Sequence, residues 1–99
     1  MAENEEQNME LKRGNNRIYA ENQEGKVIAE ITFPLVEEGI CEIDHTIVDA
    51  SLRGQGVADK LVQAAATAIK QDKLKAKVSC SYAQKWFAKH QEQADILVK

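Results

Sequence analysis

Arg53-Gly54-Gln55-Gly56-Val57-Ala58 is the stretch of this chain best suited to hold an anion. It follows an alternating apolar run and opens a stretch of helical period. A helix N-terminus leaves about four backbone N–H groups without internal partners and carries a partial charge near +0.5. Glycines let a phosphate approach the backbone closely, and successive N–H groups form an anion-binding nest. Ala58 keeps the first turn small, and Arg53 or Lys60 can add a charge contact. A P-loop would need Gly-Lys-Ser/Thr, which is absent. A dinucleotide fingerprint would need a third glycine where Asp59 stands. A bare Gly-x-Gly is equally the start of an ordinary helix.

Four further side chains could carry chemistry. Cys80 precedes an expected helix N-terminus, a setting that activates a thiol; it is an acyl acceptor or proton donor, or else a small buried hydrophobe. His45 shares a strand face with Ile43 and Ile47, so it is a core residue or a base. Glu42 and Asp44, on the other face, are possible bases. Cys41 reads as core. Two cysteines that form no CxxC pair and two scattered histidines make a poor zinc site, so no metal is expected.

The elements that must position these groups are legible from periodicity. Residues 17–21 alternate and read as a strand. Asn22-Gln23-Glu24-Gly25 reads as a turn. Residues 26–35 place Val27, Ala29, Ile31 and Phe33 on one face of a half-buried strand, with Pro34 ending regular pairing. Glu37-Glu38-Gly39 turns the chain, and residues 40–49 read as one strand with Cys41, Ile43, His45 and Ile47 on one face. From residue 56 to 71 the period becomes helical: Val57, Leu61, Ala65 and Ala68 form a stripe flanked by Ala58, Val62 and Ile69. Residues 75–80 are a strand. Ser81-Tyr82-Ala83-Gln84 has the capping-box form and opens a helix to about residue 90, with Trp86 and Phe87 as core and His90 near its C-terminus. Residues 96–98 could add a last strand. The order β-β-β-α-β-α, hairpins followed by a strand–helix–strand crossover, predicts an α+β fold with a mixed sheet.

Composition sets the frame. The chain has 99 residues and is 43% hydrophobic, enough for one small core, so residues 9–99 are expected to form a single domain behind a disordered acidic tail, residues 1–8. No run approaches the roughly 20 apolar residues of a membrane span, and the polar, acidic start is unlike a signal peptide. A cytoplasmic protein without a membrane partner is expected, a monomer or weak homodimer. The net charge of −3 argues against nucleic acid, but it is uneven. Residues 1–52 hold twelve acids and four bases, while residues 53–99 hold four acids and nine bases. A basic half suits a polyanion such as a nucleotide cofactor, or is a set of solvated lysines.

Strand, then R-x-x-G-x-A, then an amphipathic helix, a strand and a helix resembles the acetyl-CoA-binding core of the GNAT superfamily of N-acetyltransferases. Arg53, Gly56 and Ala58 match the fixed positions of its Q/R-x-x-G-x-G/A signature. With Asp44-His45-Thr46-Ile47-Val48 and Ser79-Cys80-Ser81-Tyr82, the chain looks like the branch of small stand-alone GNAT-like proteins, over residues 17–95. The resemblance implies a mixed sheet whose central strands splay, with acetyl-CoA in the V. Backbone groups around Ile47, Val48 and Asp49 would pair with the pantetheine arm. Amides of Gly54, Gln55, Gly56, Val57 and Ala58, with Arg53, would hold the pyrophosphate. Tyr82 would be a contact or proton donor, and Cys80 and His45 would be the catalytic pair.

In many larger relatives the second helix begins N-x-x-A-x-x-x-Y, the tyrosine protonating the departing thiolate. Here Cys80 falls on the asparagine, Ala83 on the alanine and Phe87 on the tyrosine, and phenylalanine cannot donate a proton. Amine acetylation needs a base, because a lysine of pKa near 10.4 is only about 0.04% neutral at pH 7. A thiol of pKa near 8.5 leaves tolerably without an acid. The expected function is therefore acetyl transfer to an unidentified amine acceptor, protein, peptide or small amine. The alternative is a CoA-binding module or sensor that catalyses little.

Overall fold

The alternating runs form strands in the computed structural model, which describes residues 10–98, but 26–35 and 40–49 each divide between two sheets, with Leu35 opening a separate short strand. The expected tail lies outside the described residues. The elements run β1 (Lys12–Gly14), β2 (Arg17–Glu21), β3 (Val27–Thr32), β4 (Leu35–Glu37), β5 (Ile40–Ile43), β6 (His45–Val48), α1 (Val57–Gln71), β7 (Lys75–Val78) and α2 (Ser81–Lys89). Short 3-10 turns occupy Ala50–Leu52 and Gln91–Ile96. One sheet has the order β1-β2-β3-β6 and is antiparallel; the other has the order β4-β5-β7, with β5 and β7 parallel. This is the mixed α+β architecture that the sequence pattern predicts.

Three local expectations change. β1 is a strand that alternation does not reveal: Lys12 and Arg13 are both exposed, and the ladder to β2 and the Lys12–Glu21 ion pair at 2.9 Å hold it. Residues 96–98 form no full strand; a 3-10 turn ends at Ile96, and Leu97 makes one bridge to Ala76. The capping box does not form either. Cys80 is the N-cap of α2, without a side-chain cap, and the Gln84 amide donates to Val78 O (2.9 Å) instead.

The largest change is in residues 40–49, which are two strands in two sheets. Thr32 on β3 is opposed by His45 in the ladder, and its carbonyl also accepts the Asp44 N–H (3.3 Å). Two residues facing one is a β-bulge, and it resets the strand's alternation. Cys41 and Ile43 point into the core, but beyond the bulge His45 and Ile47 point outward, Ile47 remaining 55% exposed. His45 and Ile47 therefore do not share a face with Cys41 and Ile43.

One core joins everything. The inward residues of both sheets, among them Ala29, Ile31, Phe33, Cys41 and Ile43, meet Leu61, Val62, Ala65 and Ile69 of α1 and Ala83, Trp86 and Phe87 of α2. Burying one of the larger aliphatic side chains contributes roughly 1.5–3 kcal/mol. The opposite face of the four-stranded sheet, with Arg17, Glu30, Thr32, His45 and Ile47, stays half-buried or exposed.

Candidate functional site

The change of sheet at the bulge creates a fork. β5 runs beside β7 from the Ile40–Lys75 pair to the Ile43–Val78 pair. Ile43 O then accepts both Ser79 N–H (3.0 Å) and Cys80 N–H (3.2 Å), and β6 leaves to pair with β3 while the other chain turns into α2. Just beyond this apex Thr46 Oγ1 and Cys80 Sγ lie 3.6 Å apart. A cavity of about 370 Å³ lies among the end of β6, the turn before α1 and the start of α2, lined by Val48, Leu52, Arg53, Gly54, Gly56, Val57, Ala58 and Tyr82.

β6 presents an unpaired edge to the fork. Asp49 N–H bonds to Ile28 O (2.8 Å), so the ladder positions toward β3 fall at His45, Ile47 and Asp49. Antiparallel pairing alternates, which directs the N–H and C=O of Thr46 and Val48 into the fork. Of the three residues expected to offer backbone groups there, Val48 does so, while Ile47 and Asp49 bond to β3. The Asp49 side chain closes the following 3-10 turn, accepting from Ser51 N (3.0 Å) and Ser51 Oγ (2.5 Å). Those bonds hold its carboxyl below the ordinary 3.8.

The turn 53–58 has the form of an anion cradle. Gly54 (φ 85) and Gly56 (φ 73) are left-handed, a conformation that other residues adopt only with strain. A Cβ on either would meet nothing within 4 Å, so conformation and not crowding demands glycine, and the space above is open. Arg53 N–H bonds to Ala50 O and Lys60 N–H to Gly56 O. Among the described residues none accepts the amide hydrogens of residues 54–59. They lie at the N-terminal, positive end of α1, a helix of 15 residues. Arg53 and Lys60 are exposed beside them.

Tyr82 crosses the mouth of the cleft. Its hydroxyl, on the first turn of α2, donates a short hydrogen bond to Asp59 on the first turn of α1. That bond, with a smaller contribution from burial, pushes the phenol up to about 12. With its hydrogen already engaged by Asp59, Tyr82 is a wall and a bridge. Phe87 is 4% exposed, with its ring centroid 5.0 Å from that of Trp86 in an edge-on contact, so it is a core residue as expected. His90 also packs on Trp86, stacked at 4.1 Å.

The two residues expected to form the catalytic pair are on different faces. The Cys80 thiol, half-buried, meets Thr46 inside the fork. The His45 ring is half-exposed on the outer face, where it meets Thr32 and Asp44. Cys41 is fully buried, and desolvation pushes its thiol up. Thr46, Leu52 and Asp59 line or bridge the site without having been expected to. Thr46 follows from the bulge, and Asp59 meets Tyr82 from 23 positions away with no local signal. Among the described residues no cluster could hold a metal ion.

Residues 17–96 match the family described as GCN5-related N-acetyl-transferase. The chain is 36% identical to a GCN5-like candidate N-acetyltransferase from Staphylococcus aureus, solved by NMR, with a TM-score of 0.74 over 92% of this chain and 89% of that one. A Mycobacterium tuberculosis protein solved with CoA shares the fold at 22% identity and a TM-score of 0.60, over 77% of this chain and 47% of that one. The N-acetylglutamate synthase of Neisseria gonorrhoeae, solved with coenzyme A and N-acetyl-glutamate, does so at 16% identity and a TM-score of 0.58, over 90% of this chain and 23% of that one. The chain thus spans most of the staphylococcal protein but under half of the other two. No curated protein matches.

Proposed function

The chain belongs to the GCN5-related N-acetyltransferases, and from that premise we propose that it binds acetyl-CoA in the fork and transfers the acetyl group to an amine. The observation that carries this reading is the set of unpartnered amide hydrogens at residues 54–59, beside a cavity that Val48 and Tyr82 also line. A diphosphate needs such donors. Charge-assisted hydrogen bonds to it are worth roughly 1.5–3 kcal/mol each. Arg53 adds a cation. The open edge at Thr46 and Val48 suits an amide-containing arm, which would extend β6 as an added strand would.

When bound, acetyl-CoA supplies an acyl group on a thioester. The chain supplies the rest. Val48, Leu52 and Tyr82 give the cleft an apolar wall. Cys80, with Thr46 beside it, is the group at the fork able to give a proton to a departing thiolate or to accept the acyl group. His45, on the outer face, is the base for an amine arriving from that side. The acceptor is a protein, peptide or small amine.

A second reading, a CoA-binding module with little turnover, is favoured by the burial of Phe87, which leaves the fork without a phenol at that position. An amide-resolved NMR titration with acetyl-CoA, followed by an acetyl-transfer screen over primary amines, tests both. Saturable shifts centred on residues 46–58 and 80–83, with transfer to an amine that drops in Cys80→Ala while binding persists, support the enzyme. The same shifts without transfer to any amine support the module. No shifts at millimolar cofactor sink both.

A further inference from the structure

The bulge does more than reset the alternation of β6. In an unbroken strand neighbouring side chains point to opposite faces. Here Asp44 and His45 are adjacent in sequence and yet meet, with Asp44 Oδ1 3.6 Å from His45 Nδ1. Both face Thr32, the residue they jointly oppose. Thr32 Oγ1 donates its one hydrogen to Asp44 Oδ1 at 2.5 Å. It also lies 3.5 Å from each ring nitrogen of His45. Its hydrogen is already committed and it stands equally far from the two nitrogens, so this hydroxyl favours neither ring tautomer, and the choice falls to Asp44.

From this geometry, and resting on the acetyl-transfer reading above, we infer that Asp44, locked by Thr32, is the positioning residue for His45: it holds the imidazole as its Nδ1–H tautomer, so that Nε2 is the free acceptor for the amine's proton. A carboxylate at Nδ1 selects this tautomer because it can only accept. The 3.6 Å separation is loose, as such contacts commonly are before substrate arrives. The contacts of the His45 ring are with Thr32 and Asp44 alone among the described residues, and the charged groups on the neighbouring strands have their own partners. Glu30 pairs with Arg17 at 2.6 Å. Glu42 accepts from Ser79 Oγ at 2.6 Å. Lys77 pairs with Glu37 at 3.2 Å. Asp44 is therefore the carboxylate available to His45.

The arrangement also gives the reaction two sides. Cys80 and the open edge of β6 look into the fork, whereas His45 and Asp44 look out from the opposite face. Acyl donor and amine would approach from different faces of the same strand.

One arm of the test needs no activity. Long-range ¹H–¹⁵N correlation of the histidine rings, at a pH where His45 is neutral, reads its tautomer in the free protein. Wild type shows Nδ1–H; Asp44→Asn, whose amide can also donate, moves the ring toward Nε2–H. Thr32→Val, which leaves the carboxylate charge in place, gives a smaller change of the same sign. An unchanged tautomer in Asp44→Asn, or a wild-type ring already in the Nε2–H form, overturns the proposal whether or not the protein acetylates anything. In the transfer assay Asp44→Asn lowers kcat, by no more than the roughly 10²–10⁴-fold that a positioned general base supplies, with KM for acetyl-CoA unchanged and Asp44→Glu partly restoring turnover. Wild-type turnover in Asp44→Asn, beside an impaired His45→Ala, also overturns it.

Discussion

Replacing Gly56 by alanine separates what the turn does for the fold from what it does for a ligand. Gly56 sits at φ 73 and ψ 19, where an L side chain costs about 1–2 kcal/mol. Alanine also lowers the entropy of the unfolded chain, which offsets about 0.4–1 kcal/mol. No steric contribution adds to this, because a Cβ there meets nothing within 4 Å. The net loss is about 1 kcal/mol, or a fall in Tm of about 4–8 °C for a domain of this size. Gly39 is an internal control: its φ is 78, its Cβ would also meet open space, and it lies in the turn between β4 and β5. Gly39→Ala should therefore show the same Tm decrement by thermal circular dichroism. Calorimetric titration with acetyl-CoA should then part the two variants. The new methyl at position 56 stands in the open space that the diphosphate would occupy. Losing one charge-assisted bond, roughly 1.5–3 kcal/mol, weakens Kd about ten- to a hundredfold. Gly39→Ala should bind like wild type. Equal acetyl-CoA affinities in the two variants would refute the amide cradle as the ligand site. A much larger Tm loss at position 56 than at 39 would show that the turn's geometry is required by the fold itself.

Three further outcomes follow from the structure. The Tyr82 phenol, bonded to Asp59, should ionise near 12 by ultraviolet difference titration and move back toward 10 in Asp59→Asn; because the folded value is the raised one, the stability this bond confers is present below pH 10 and is lost as pH rises toward 12. Tyr82→Phe should at the same time speed acetyl-CoA association in stopped-flow measurements, since it unties the two helices at the mouth of the cleft, and unchanged kinetics would show that the bridge does not gate it. Of the two thiols, Cys80 should react with a disulfide reagent in the native protein and Cys41, fully buried with its thiol pushed up, only on unfolding; two equally fast thiols would contradict the burial of Cys41.

By itself the sequence determined the elements whose physics is local. Alternation in Ala29, Ile31 and Phe33 marks a strand face because the side-chain period of a strand is two. The spacing of Val57, Leu61, Ala65 and Ala68 marks a helix face for the corresponding reason, and each set is buried as expected, except that Val27, expected on the same strand face, is 39% exposed. Gly54 and Gly56 before that helix mark the turn, because left-handed backbone calls for glycine, and the turn together with residues 44–48 and 79–82 carries the resemblance to the family. What only the tertiary structure decided is everything that depends on two distant segments meeting. Residues 40–49 contain no glycine or proline at which a break could be read. The strand divides at Asp44 because its first half pairs with β7 and its second half with β3, and a bulge against Thr32 reconciles the two directions. That one irregularity sends His45 outward, turns Thr46 toward Cys80 and brings Asp44 beside His45. The Tyr82–Asp59 bridge is likewise set by how the two helices dock. Periodicity reports which face of an element is apolar. Which residue lies opposite which is fixed by the pairing of strands and helices far apart in the chain.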